Sequence, residues 1–122
     1  MSKFRFLEPM RSETLSDGKV RVYFNESIES ETRTTGEGEE AEEVTETAYY
    51  YSGVDMDVNP DKGSKGFTRS ELINAMIHDR YSLDDEIALE RHARAGEGAE
   101  EVAAHDAYAE QCKSWADEYF NA

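Results

Sequence analysis

The first half of the chain shows the two-residue alternation that is typical of β-strands. Apolar side chains occupy every second position from Val20 to Phe24, so this strand should bury one face. A turn signal, Ser16-Asp17-Gly18, lies just before it. The apolar residues Phe4 and Phe6 indicate an earlier strand, which Pro9 ends.

A third and longer strand is predicted from Val44 to Val58, which is rich in Thr, Tyr and Val. Its alternation places Ala48, Tyr50, Ser52 and Val54 on one face and Thr45, Thr47, Tyr49 and Tyr51 on the other. Gly53 is a candidate β-bulge. A long hairpin across residues 35–43 would join the second and third strands, which makes residues 1–58 a three-stranded antiparallel meander.

The pattern changes to helical spacing after a connector, residues 59–67, that contains one proline and two glycines. Thr68-Arg69-Ser70-Glu71 is a capping box, and Phe67 and Leu72 flank it as a hydrophobic staple. The apolar positions that follow predict a first helix that runs to about Arg80 or Tyr81.

Two further helices are predicted. Ser82 begins the second, acidic residues fill its first turn, and Gly96 and Gly98 end it. The third runs from about Glu100 to Tyr119, and its apolar stripe comprises Ala104, Tyr108, Cys112, Trp115 and Tyr119, widened by Ala116 and Phe120. The predicted fold is α+β: a three-stranded meander followed by a three-helix segment, residues 68–122, packed with the sheet as one domain.

Charge narrows the range of functions. The 122 residues include 13 Lys and Arg against 28 Asp and Glu, a formal charge of −15 that disfavours binding to nucleic acid or to an anionic membrane. Five of these acids lie between Glu37 and Glu43, which predicts a solvated, mobile loop tip. No apolar run has the length of a membrane span or, at the start, of a signal peptide.

Candidate catalytic and metal-binding patterns are weak. Asp55 to Asp61 begins like a calcium loop but lacks the required Gly and Glu, so its acids should mark the solvent side of a strand end. The three histidines lack metal-ligand spacing along one helix, which leaves open a site assembled from separate helices. Cys112 is the single cysteine, so no intramolecular disulfide can form, and its place in an apolar stripe predicts a buried, inert thiol. We therefore predict no enzymatic activity, cofactor or metal.

The aromatic residues suggest protein contacts. Tyr49 and Tyr51, with Tyr23, should lie on the outer face of the sheet, either as an exposed patch or as cross-strand pairs that stiffen it. The third helix carries more aromatic area than the first helix can cover, which predicts a homodimer or another partner. In the alternative, Trp115 is a core residue and the terminal Tyr119 and Phe120 fold back onto the sheet. The candidate interaction residues are Tyr49, Tyr51, Tyr108, Trp115, Tyr119 and Phe120.

The segment Arg80-Tyr81-Ser82-Leu83-Asp84-Asp85-Glu86-Ile87-Ala88-Leu89, followed by a helix ending in Gln111-Cys112-Lys113-Ser114-Trp115-Ala116, resembles small tail-region proteins of phages and prophages of gut bacteria. The resemblance covers residues 69–119. It implies a non-enzymatic accessory or assembly role, tail components as partners, and a location in the cytoplasm of the bacterial host or in the virion. The alternative function is an acidic inhibitor that mimics nucleic acid and occupies a basic protein surface.

Overall fold

A computed structural model of the protein describes residues 3–36 and 38–121. Within them, four strands form one antiparallel sheet and three helices follow, which confirms the α+β class. The strands are β1 (Lys3–Phe6), β2 (Ser12–Thr14), β3 (Val20–Thr35) and β4 (Glu42–Met56). The helices are α1 (Arg69–Arg80), α2 (Leu83–Arg94) and α3 (Ala99–Phe120), and short 3-10 turns lie at Gly38–Glu40 and Pro60–Lys62.

The order of the strands corrects the predicted three-stranded meander. The sheet order is β1-β4-β3-β2, so β1 and β2 lie on opposite edges although only residues 7–11 separate them. This segment crosses the sheet: the Met10 N–H donates to the Tyr51 hydroxyl at 3.1 Å, and the Tyr23 N–H donates to the Arg11 carbonyl at 2.8 Å. The prediction missed β2 because its three polar residues show no apolar alternation.

A bulge interrupts the pairing of β3 with β4. Phe24 pairs with Ser52 and Ser27 pairs with Tyr50, so β3 has one more residue than β4 over this interval. Asn25, inside the bulge, has a φ of 57°, a left-handed conformation that asparagine tolerates better than most residues. The bulge reverses which β3 residues face the helices, because the side-chain period of a strand is two.

Gly53, predicted as the bulge, pairs regularly with Tyr23. A Cβ atom built on Gly53 would lie 2.8 Å from Cε2 of Phe4, well inside van der Waals contact. The glycine therefore leaves room for the ring of Phe4, which β1 lays on the outer face of the sheet.

Sheet and helices share one core, on the face of the sheet opposite Phe4. Leu72 and Met76 of α1 and Cys112 of α3 are fully buried there. The strands contribute Val22, Phe24, Val54 and Met56, and the helical half adds Phe67, Ile73, Tyr108 and Ala116. Each large side chain buried in this way stabilises the fold by about 1.5–3 kcal/mol.

The predicted start of α1 is confirmed. The Glu71 N–H donates to the Thr68 hydroxyl at 3.2 Å, and the Thr68 N–H donates to the Glu71 carboxylate at 3.0 Å. Phe67 and Leu72, the predicted staple, are both buried. Because these contacts set the direction in which α1 leaves the connector, they place its apolar face on the sheet.

The second helix begins at a similar cap, in which the side chains of Ser82 and Asp85 bond reciprocally to backbone N–H groups. Gly96 and Gly98 have positive φ angles of 74° and 64° and separate α2 from α3, as predicted. α2 has no buried residue, so it lies on the outside of the helical layer.

The far half of the β3–β4 hairpin extends beyond the core. β1 pairs with β4 only as far as Tyr49, and β2 pairs with β3 no farther than Val22. We call the part that lies beyond these pairs the arm; it consists of residues 29–35 and 42–48 and the turn between them. Its seven paired positions span about 23 Å at the usual rise of a strand. The core cluster contains no arm residue, and Ala48, at the base, is the one strand residue of the arm that is buried.

Candidate protein-interaction surface

The register of the hairpin gives the arm two chemically different faces. On the acidic face, Glu29, Glu31 and Arg33 lie beside Glu42, Val44, Glu46 and Ala48. On the threonine face, Ser30, Thr32 and Thr34 lie beside Glu43, Thr45 and Thr47. The predicted assignment of β4 residues to two faces is confirmed, and the face that carries Ser52 and Val54 packs on the helices as expected.

The acidic face is partly paired within the chain. Arg5 Nε donates to Glu31 at 2.7 Å, and the Tyr50 hydroxyl also donates to this carboxylate. The guanidinium and the hydroxyl together hold the pKa of Glu31 below its ordinary value. Arg33 lies 2.6 Å from Glu46. Among the described residues, no cation lies within ion-pair distance of Glu29.

Nearly half of the negative charge lies on the arm. Residues 29–48 contain eight glutamates and one arginine, a net charge of −7, whereas the whole chain carries −15. Like charges packed this closely repel one another and destabilise the ribbon that carries them. The electrostatic field of these glutamates also attracts a basic surface over a distance of about a Debye length, about 8 Å at physiological salt.

The threonine face is nearly neutral. The hydroxyl oxygens of Thr32 and Thr45 lie 3.2 Å apart across the two strands. At the base of this face Ile28 is 58% exposed and pairs with Tyr49, which is half-buried. Because the arm strands also lack neighbours on their outer edges within the described chain, their backbone groups can accept an additional strand.

Of the two alternatives for Tyr51 and Tyr23, the structure has the packed cross-strand arrangement and not the exposed patch. Tyr51 is 3% exposed and Tyr23 is 6% exposed, because β1 lays Phe4 and Phe6 beside them as a four-ring cluster with centroid distances of 4.9–6.1 Å. Burial, together with a 2.5 Å bond to Glu13, raises the pKa of Tyr23 to about 12. Of the three tyrosines Tyr23, Tyr49 and Tyr51, Tyr49 is the one that is half-exposed.

The aromatic residues of α3 also pack within the chain, as in the alternative, but the ring partner of Tyr119 and Phe120 is Phe67 of the connector and not a residue of the sheet. Tyr119 stacks on Phe67 at 5.9 Å between ring centroids, and Phe120 meets the same ring edge to face. Trp115 packs on Phe24 at 5.4 Å, and Tyr108 is 6% exposed. The aromatic excess from which a homodimer was predicted is therefore largely used inside the core.

Two of the three histidines meet on one carboxylate. His78 Nε2 of α1 lies 2.7 Å from Glu86 Oε1, and His105 Nε2 of α3 lies 3.0 Å from Glu86 Oε2. Glu86 thus connects α2 to both neighbouring helices, which matters because α2 buries no residue of its own. Within the described residues, no group of three or more His, Cys, Asp or Glu side chains has a geometry that could hold a metal ion.

Cys112 lies in the core, as predicted. It is fully buried, and burial raises the pKa of its thiol to about 11, so the thiol stays protonated at neutral pH. The acids of the calcium-like segment lie at the solvent side of a strand end, also as predicted: Asp55 accepts from Arg21 at 2.6 Å and Asp57 lies 3.5 Å from Lys19.

A recess of about 220 Å³ lies at the base of the arm, and no sequence pattern predicts it. The bulge, the crossing segment and the last turns of α3 enclose it. Its lining includes two carboxylates, Glu26 and Glu118, together with Arg11 and the ring of Trp115. No motif indicates it because these residues come from three distant segments and meet only through the bulge.

No known protein family, curated protein or solved structure matches this chain. Within the described residues, no helix combines the length and the apolar character that crossing a membrane requires. The arm and the recess at its base are the features of the surface on which a functional proposal can rest.

Proposed function

We propose that this chain is a non-enzymatic protein-interaction protein that uses the acidic arm to bind a basic surface of a partner protein. The main observation in support is a two-stranded ribbon with a net charge of −7 that extends beyond the core. The resemblance of residues 69–119 to phage tail-region proteins makes a tail component the proposed partner and an accessory or assembly role the proposed function.

Stability alone does not account for the arm. A two-stranded hairpin that is covered only at its base is at best marginally stable in water, and closely spaced glutamates weaken it further. A basic partner would relieve this repulsion. Each glutamate that lacks a cation in the free chain could form an ion pair with it and so favour binding. The arm therefore has the properties of a surface that becomes more stable when it is bound.

Charge also disfavours pairing between the arms of two copies. Two ribbons of −7 each would repel when brought edge to edge, although their open edges would otherwise favour strand addition. Oppositely charged partners gain in association rate and in specificity from the same field. The proposed partner is therefore a different, basic protein rather than a second copy.

The proposal is tested by capturing partners from phage-infected or lysogenic cells with the tagged full-length chain. The native chain should recover tail proteins. Glu29→Gln with Glu42→Gln should reduce this recovery by about tenfold, which is what two weakened surface charge contacts are worth. A matched control, Glu97→Gln with Glu100→Gln, removes the same charge from the body of the protein and should not change it. Equal recovery by all three chains would contradict the proposal.

The second candidate is an acidic inhibitor that occupies the nucleic-acid-binding surface of another protein. The observation that favours it is the gathering of Glu29, Glu31, Glu42 and Glu46 on one face of the arm, because such a mimic needs carboxylates arrayed together. Recovery of a nuclease or a polymerase in the same experiment, in place of tail proteins, would favour this candidate.

A further inference from the structure

The recess at the base of the arm is built by the bulge in β3. The extra residue places Asn25 and Glu26 where the hairpin leaves the core, facing the last turns of α3. Bulges commonly redirect side chains toward a site. With a volume of about 220 Å³, the recess has room for the end of a long side chain.

One carboxylate of the recess is held in a fixed position. The Tyr51 hydroxyl donates to Glu26 Oε2 at 2.6 Å and accepts from the Met10 N–H at 3.1 Å. Because Tyr51 is only 3% exposed, this bond anchors Glu26 to a buried ring. Among the described residues, neither Glu26 nor Glu118 has a cation within 4 Å, so both carboxylates can accept bonds from a ligand.

The aromatic wall suits a cation. Trp115 lines the recess and is half-buried against Phe24, so its ring is held in place by the core. The neighbouring ring of Tyr119 already attracts a cation within the chain, because Lys65 Nζ lies 4.9 Å from its centroid. Tryptophan is the side chain that attracts cations most strongly in this way.

We propose that the recess binds an arginine side chain of the basic partner, with the guanidinium against Trp115 and bonded to Glu26 and Glu118. A guanidinium is preferred to an ammonium because it is planar, stacks on aromatic rings and bonds to carboxylates through two N–H groups at once. This inference rests on the proposed function, because it names the side chain by which the same partner would be held at the base of the arm.

Arg11 limits the strength of this site. It is the one cation among the residues that line the recess, and no carboxylate of the described chain lies within 4 Å of its guanidinium. Its charge opposes a second guanidinium at close range. Removing the charge of Arg11 should therefore strengthen binding, whereas removing the charge of Glu26 or Glu118 should weaken it.

The test uses a capped tetra-arginine peptide as the probe and the fluorescence of Trp115, the single tryptophan, as the readout, in 0.15 M NaCl. Saturable quenching or shifting of the emission is expected. Glu26→Gln and Glu118→Gln should each weaken binding about tenfold, the value of one charge-assisted contact. Arg11→Gln should tighten it, and capped tetra-lysine should bind several times more weakly.

Glu97→Gln with Glu100→Gln serves as the control for nonspecific attraction to an acidic protein and should leave the affinity unchanged. An unaltered emission, or equal weakening by this control and by the recess variants, would overturn the inference. The arm variants separate the two proposals. If they abolish partner capture while Glu26→Gln and Glu118→Gln do not, the recess inference fails and the proposed function stands. If the reverse holds, the recess stands and the role of the arm fails.

Discussion

The arm differs in its stabilisation from the rest of the described chain, residues 3–28 and 49–121, which we call the body. In the body, the strand pair carries Val22 and Val54 toward α1 and α3, and burial holds it together. In the arm, the same two strands continue with glutamate and threonine at corresponding positions, and beyond the buried Ala48 they are held by backbone pairing and by side-chain bonds at the surface. The change occurs at the bulge, where the face presented to the helices ends.

This difference indicates that the body stabilises the fold and that the arm serves contacts with other molecules. A sheet that is covered by helices gains stability from apolar burial. A ribbon that is largely uncovered contributes little to stability. Its residues are therefore less constrained by packing and can serve contacts outside the chain. The concentration of charge on the arm agrees with this interpretation.

The largest expected effect lies in the body. Phe67 is 1% exposed and contacts both Tyr119 and Phe120, so Phe67→Ala should lower the free energy of unfolding by about 3–5 kcal/mol. Ile28→Ala, at the exposed base of the arm, should change it by less than about 0.5 kcal/mol. Urea titration monitored by circular dichroism measures the free energy of unfolding of both variants. Phe67→Leu provides a milder variant if the alanine variant does not fold, and similar losses at Phe67 and Ile28 would contradict the comparison.

The sequence predicted the helices better than the order of the strands because local patterns specify local structure. The capping box at Thr68 and the helical spacing after it depend on neighbours within one or two turns, and α1 follows them closely. The pairing of β1 with β4 depends instead on residues more than forty positions apart, for which alternation carries no information. The alternation predicts the correct face for Tyr51 but not its cover by β1.

The same reason explains the candidate sites. The acidic tip was visible as a run of glutamates, although Glu37 itself lies outside the described residues. The recess was not visible, because Glu26 and Glu118 acquire a common environment only through the bulge and the packing of α3. The contacts of His78 and His105 with Glu86 could not be predicted from the sequence for the same reason, because the three residues lie on three different helices.

A smaller effect is expected at a polar group inside the body. Asp79 Oδ2 is buried without a hydrogen-bond partner among the described residues, and burial raises the pKa of this carboxyl above its ordinary value of 3.8. Asp79→Asn removes the charge with little change in size and should raise the free energy of unfolding by about 0.5–1 kcal/mol near neutral pH, discounted because the side chain is half-buried.

The pH dependence of this gain has a definite sign. Because the pKa of Asp79 is higher in the folded chain than in the unfolded chain, its ionised form costs stability at pH values above the folded pKa. The cost disappears as the pH falls below the ordinary value, so the advantage of Asp79→Asn should shrink to nothing in acid. Urea titrations at neutral and acidic pH test this, with the exposed Glu97→Gln as the control. An advantage that stays constant with pH would contradict the assignment.

The smallest effect is expected at the tip of the arm. Thr35 pairs with Glu42, so replacing residues 36–41 by Asn-Gly would close the hairpin with a two-residue turn in the same register. The replacement also removes three glutamates that repel the rest of the arm. The free energy of unfolding should therefore change by less than about 0.5 kcal/mol, and any change should be an increase, because the loop is shorter and the repulsion weaker.

Urea titration gives the free energy of unfolding of the whole chain, and amide exchange at Thr32 and Thr45 reports whether the arm persists. A loss of about 2 kcal/mol or more would mean that the tip is packed against another part of the chain, and that the arm is part of the body after all.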